Sequence, residues 1–204
     1  MSYLFSALLI AVLTAVIGLF LYTLFIAKRV ELGMPPEGRF VTIMGNRVHY
    51  IEQGSGDQTI LLIHGLSGVA QHFGYSVMGQ LARHYRVVGH SLGGAVSLAT
   101  ALRHPDKVSG LALIAPLTHL PQAPSEAFAA LNIRFALLRK LVAWTLATPL
   151  SVRQRDKVLD IVFGPEAVPA DFAQRGGGYL GLRPSHFVGH ARVGSGTARD
   201  AATL

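Results

Sequence analysis

Hydrophobic and polar positions divide the chain into three stretches of different character. The first, Tyr3–Ala27, is apolar on every side of a helix and carries no charge. About 20 such residues cross a hydrocarbon core, so this run is long enough for a membrane anchor. A buried core helix would pass the same length test. So would a cleaved signal peptide, but that has a basic start and a shorter apolar core, and neither is present here. The favoured reading is a single-pass anchor over residues 3–27. Lys28-Arg29 follow it directly, which by the positive-inside rule turns the globular part to the cytoplasm.

After a linker with Pro35-Pro36, short apolar runs alternate with glycine-rich turns. Phe40–Met44 and Arg47–Glu52 flank Gly45-Asn46 and predict a β-hairpin. Thr59–Ile63 is continuously apolar, as a strand covered on both faces would be. Phe73, Val77 and Leu81 recur every four residues and predict a helix. His84–Val88 reads as a strand. Ala95–His104 reads as a helix stopped by Pro105, and Leu111–Ala115 as a buried parallel strand. Alternating strand and helix predict the α/β class: a mostly parallel sheet flanked by helices.

From Leu117 the pattern turns helical. Ala127–Leu146 has helical spacing and holds Trp144. Pro149 is expected to break it, and Ser151–Phe163 is a second helix. Gly176-Gly177-Gly178 and Gly181 suggest a flexible loop, and Gly189–Leu204, without periodicity, a disordered tail. The expected organisation is an anchor (1–29), a linker (30–39), an α/β core (40–116), a helical cap-like region (117–187) and a tail (188–204).

Composition narrows the chemistry. Half the residues are hydrophobic and 14% are charged, too apolar for a disordered chain. There is no cysteine, which excludes disulfides, thiolate metal sites and a cysteine nucleophile. The net charge of +7 is scattered in short pairs such as Lys28-Arg29 and Arg139-Lys140. No basic stripe interleaves with aromatics, so a nucleic-acid partner is not expected.

The motif that carries chemistry is Gly89-His90-Ser91-Leu92-Gly93, a G-x-S-x-G between the apolar Val87-Val88 and a helix-like stretch. A serine that attacks a carbonyl is best presented on a tight strand-to-helix turn. Such a turn crowds the residues two before and two after it, and both are glycine here. The following helix start directs N–H groups and a positive dipole end at developing negative charge.

With His64-Gly65 upstream and His104-Pro105-Asp106-Lys107-Val108 downstream, this motif makes the segment from about Phe40 to Pro116 resemble the α/β-hydrolase fold superfamily, in its serine-nucleophile esterase and lipase branch. The resemblance implies Ser91 as nucleophile and an oxyanion hole from the backbone N–H groups of Leu66 and Leu92. It gives His64, Gly65, Gly89, His90 and Gly93 framework roles, and it implies no cofactor and no metal. It also implies an ester-type substrate, small or lipid-like. The serine argues against dehalogenase and epoxide hydrolase chemistry, which use an aspartate there. The helical region matches the place of the family's cap.

Two departures from the family stand out. His84–Val88 runs straight into Gly89, where the family has a further strand and helix, so a sheet position is expected to go unfilled. After Pro116 no apolar strand ends in an aspartate, and no later loop presents a base in the expected place. The candidates are His119, His186 and His190. His186 and His190 have the i, i+4 spacing of a zinc pair, but Gly189 lies between them and the glutamate of the H-E-x-x-H type is missing, so neither a metal site nor His190 as a substitute base is expected. Asp156, Asp160 and Asp171 read as solvated charges. The resemblance is therefore to a family member shortened internally and at the C-terminus, and the alternative to an active hydrolase is a catalytically impaired or non-catalytic hydrolase-like membrane protein lacking the triad His and Asp.

Overall fold

A computed structural model of the chain describes residues 2–53, 59–66, 68–76, 78, 87–90, 92–108, 110–114, 133 and 135–191. It divides into two compact units. One is built from Met1–Met34, Pro124–Pro169 and Tyr179–Leu204, the other from Pro35–Ala123 and Ala170–Gly178.

In the first unit, α1 (Ser2–Gly33) extends the apolar run through Lys28, Arg29 and Glu31. Helix is the best state for such a run, because every interior N–H finds a carbonyl within the segment. The side chains of its apolar stretch stand almost wholly in the open, Tyr3 at 88% exposure, so α1 is not a core helix. Only Thr23, Ala27 and Val30, spaced four and three apart, are buried. That narrow stripe packs against a long helix made of α4 (Ala136–Val142), a π-helical turn (Ala143–Ala147) and α5 (Thr148–Phe163). Ala143 and Ala147 are the small buried residues on its side, and Phe20 and Trp144 meet with ring centroids 5.6 Å apart.

Pro149 does not break this helix, contrary to the expectation from sequence. Proline lacks an N–H and crowds the carbonyl four residues back. The wider π turn ends two residues before it and relaxes that crowding, and Thr145 Oγ1 donates to the Leu141 carbonyl within the turn at 2.7 Å. The helix ends instead at Gly164, whose N–H donates to the Asp160 carbonyl at 2.9 Å. Buried Thr148 donates to the Leu182 carbonyl at 2.8 Å, and the Arg155 guanidinium lies 5.0 Å from the Tyr179 ring centroid. A last helix, α7, covers 184–191. Gly189, His190 and Ala191 are therefore helical, not the start of an irregular tail; residues 192–204 lie outside the described residues.

In the second unit, β1 (Arg39–Ile43) and β2 (Asn46–Tyr50) pair antiparallel, Ile43 opposite Asn46. The turn is thus Met44-Gly45, one residue earlier than expected. Both have positive φ (49° and 76°), as a two-residue hairpin turn that follows strand twist requires. Asn46 stays in the strand, its Nδ2 donating to the Met44 carbonyl at 3.2 Å.

The other sheet holds β3 (Leu61–Ile63), β4 (Val87–His90) and β5 (Ala112–Ile114), in that order and parallel. Parallel pairing among the described residues is confined to these short strands, and the structure as a whole is mostly helical. The pairing of β3 with β4 is direct, Leu61 opposite Val87, so the shortened connection leaves no gap between them. The hairpin stands as a separate two-stranded sheet. The expectation that these strands are covered on both faces fails: Leu61 and Ile114 are each more than half exposed. The helix α3 (Leu92–Arg103) packs on β4 with smaller contacts to β3 and β5, and leaves those side chains open. Two short helices, α2 (Gln71–Ser76) and α6 (Phe172–Arg175), pack on each other in the same unit.

Candidate functional site

The parallel register sets the site. Ile63, Gly89 and Leu113 lie in one row across the sheet, so the carboxyl ends of all three strands reach the same level. Ligands of open α/β sheets bind beyond that edge. From it emerge His64-Gly65-Leu66 after β3 and, after Gly89-His90 of β4, the first turn of α3 with Leu92 and Gly93. Ser91, between β4 and α3, lies outside the described residues.

These two chain crossings are pressed together. A Cβ on Gly93 would meet the Ile63 carbonyl oxygen inside contact distance. It would also sit 2.7 Å from the His64 carbonyl oxygen and 2.8 Å from the Ile63 carbonyl carbon. No side chain fits there, so the glycine two residues after Ser91 is what lets α3 start against the end of β3. Gly68 has a milder form of the same constraint, its Cβ position lying 3.0 Å from both the Gly65 carbonyl oxygen and His64 Cβ. The turn is tied internally: His64 Nδ1 donates to the Gly65 carbonyl at 2.9 Å, and Gly68 N–H donates to the same oxygen at 3.0 Å. Gly65, Gly93 and Gly94 are buried. Inside α3, buried Ser97 donates to the Gly93 carbonyl at 2.8 Å and holds the first turn.

No acidic residue occupies that first turn of α3. The positive end of the helix dipole is therefore not offset by a carboxylate within that turn. The structure thus brings the Ile63 and His64 backbone against the start of α3, with Gly65 and Leu66 following in the chain. His186 and His190 lie on α7 in the other unit, ring centroids 4.0 Å apart, with His190 Nδ1 donating to the His186 carbonyl at 2.6 Å. His119 is outside the described residues. Asp156 and Asp160 are exposed on α5. Among the described residues, no three metal-ligating side chains converge.

One polar network was not foreseen, and it corrects the reading of Asp171 as a solvated charge. Tyr75 Oη donates to Asp171 Oδ1 at 2.5 Å, and Arg175 Nη1 donates to Oδ2 at 3.0 Å. The hydrogen bond from Tyr75, followed by the neighbouring Arg175, holds the Asp171 carboxyl below its usual range. The same bond, with some desolvation, raises the Tyr75 phenol. Phe172 packs between Tyr75 and His72, with centroids 6.1 Å and 5.6 Å away. The supposed flexible loop is part of this cluster. Gly176 and Gly177 are buried, and a Cβ on Gly176 would run into the Phe172 ring. Gly176 is there for close packing, and Gly177 for its positive φ of 82°.

The family model described as the alpha/beta hydrolase fold matches residues 82–153, taking in Gly89–Gly93, α3, β5 and the first part of the long helix. That segment, about a third of the chain, is similar to the α/β-hydrolase fold family. No curated protein matches it. Among solved structures, one described as a membrane phospholipase A, a novel bacterial virulence factor, superposes with a TM-score of 0.53 at 21% identity. The alignment covers 97% of this chain and 75% of that one. At that identity the likeness carries the fold. Family and fold together support a hydrolase in general terms.

Proposed function

We propose that this α/β-hydrolase chain is a membrane-anchored serine hydrolase acting on ester carbonyls, with lipid-like esters as the favoured class. The observation that carries the reading is the space at Gly93. The helix after Ser91 can begin against the Ile63-His64 backbone at the end of β3 only because residue 93 has no side chain. In this reading Ser91 Oγ attacks the carbonyl carbon, and the negative charge moves to the carbonyl oxygen. The N–H groups of Leu66 and Leu92 receive it, aided by the α3 dipole. Collapse expels the alcohol and leaves an acyl-serine, which water then hydrolyses. Only backbone donors are needed from the two leucines, so their side chains carry no catalytic role in this reading. The open apolar surface of α1 and the membrane phospholipase neighbour favour a lipid-like substrate over a small polar one.

A specific observation favours a second reading, a hydrolase-like protein without turnover. The family's acid and base follow strands after the nucleophile helix, and among the described residues no strand follows β5. Hydrolysis of a short-chain nitrophenyl ester by the full chain, beside Ser91→Ala, separates the two. Turnover lost in the variant supports the serine hydrolase. Equal background from both, with both folded, supports the second reading.

A further inference from the structure

The long helix presents apolar side chains to solvent on the side opposite its buried residues. Arg139, Ala143, Ala147 and Thr148 are buried, whereas Leu137, Leu141, Leu146 and Leu150 are exposed, Leu137 at 82%. The exposed leucines are spaced four, five and four apart. In an unbroken α-helix a five-residue step turns about 140° further round and would scatter the stripe. The step of five spans the π turn Ala143–Ala147, which takes up the extra residue and keeps the leucines in line. The same turn that accommodates Pro149 therefore builds a continuous apolar face.

α1, in the same unit, likewise carries open apolar side chains. The helix meets α1 near its C-terminal end, at Phe20, Thr23, Ala27 and Val30, beside Lys28 and Arg29, where an anchor leaves the hydrocarbon. Trp144 meets Phe20, about 12 Å along α1 from Lys28 at 1.5 Å per residue. From Leu141 to Val152 there is no charge, with Arg139 and Lys140 on one side and Arg153, Arg155 and Lys157 on the other. The uncharged part is about 18 Å long at 1.5 Å per residue, too short for a core of about 30 Å. It suits a helix lying in the interface, with basic ends that favour anionic headgroups.

We infer that residues 136–150 form a second membrane contact, an interfacial helix lying against α1 with Leu137, Leu141, Leu146 and Leu150 in the acyl–headgroup boundary of an anionic bilayer. This rests on α1 being embedded, and the test separates the two. The absence of cysteine gives a clean background for single-cysteine labelling of the full chain. Leu137→Cys, Leu141→Cys, Leu146→Cys and Leu150→Cys, with Leu13→Cys in α1 and Lys157→Cys as references, are labelled with an environment-sensitive dye. The labelled chains are reconstituted in phosphatidylcholine vesicles containing phosphatidylglycerol. Aqueous iodide and lipids brominated near the carbonyl serve as opposing quenchers. The expected result is several-fold less iodide quenching at the leucine sites than at Lys157, with quenching by the shallow brominated lipid. Iodide access at the leucine sites with Leu13 protected would overturn the interfacial helix and leave the anchor standing. Iodide access at Leu13 as well would overturn both. Protection from both quenchers would mean that a second copy of the chain covers the face, which also overturns the inference.

Discussion

Gly93 is the residue on which the site turns. A methyl group there collides with backbone, not with the end of a flexible side chain, so the strand end or the helix start must move. Gly93→Ala is expected to cost about 1–3 kcal/mol, the range of overpacking in a tight site, read as a lower urea midpoint. Any ester turnover should fall further than the stability loss explains, because the displaced groups are the proposed oxyanion donors. This constraint was legible in sequence, since a tight turn requires glycine whatever surrounds it. The Tyr75–Asp171 pair was not. Its partners are 96 residues apart, and an aspartate near glycines has no local mark that distinguishes a bonded carboxylate from a solvated one.

That pair predicts a pH window. Asp171 is held below its unfolded value, so its contribution is present above the ordinary carboxylate range and lost as pH falls through its folded value. Tyr75 is raised, so its contribution is present below the ordinary phenol range and lost as pH rises through its folded value. The pair therefore supports the fold between those limits. Tyr75→Phe should bring the pH dependence of the denaturation midpoint closer to flat at both ends, and a curve superposable on the parent would reject the role.

At the scale of elements, small residues decide how α1 meets the long helix. Thr23 and Ala27 on one side and Ala143 and Ala147 on the other allow close approach, as in helix pairs within membranes. Ala143→Leu should weaken this pairing by about 1–3 kcal/mol. The readout is a lost disulfide between cysteines placed at Phe20 and Trp144, which should form in the parent background. Here the sequence misled for a physical reason. Proline interrupts an isolated helix, but packing against α1 supports a π turn that absorbs the interruption. The hairpin turn slipped by one residue because Gly45 serves equally well in either register, and strand pairing chose Met44-Gly45.

For the whole molecule, α1 and the long helix belong to one compact unit, so the N-terminal helix is not a detachable tether. Removing residues 2–34 strips the cover from Ala143 and Ala147 and leaves apolar surface on both sides of the long helix. The shortened chain should be cut by trypsin at Arg153, Arg155 and Lys157 several-fold faster than the full chain in detergent. Equal rates would mean that the helix holds without α1. The alternation of strands and helices around Gly89–Gly93 was visible in the sequence because each element there carries its own period. The assembly of distant segments into one unit was not, because it depends on which faces meet.

The pairing of α1 with the long helix also sets an order of events during synthesis. The two partners are separated by roughly a hundred residues, so at 5–20 residues per second α1 is made on the order of ten seconds before its mate. In that interval the stripe of Thr23, Ala27 and Val30 has no protein to face. Thr23 Oγ1, buried and without a hydrogen-bond partner among the described residues once the unit is complete, begins its life against lipid or a chaperone. Whatever holds the nascent helix in that window governs how much of the chain matures.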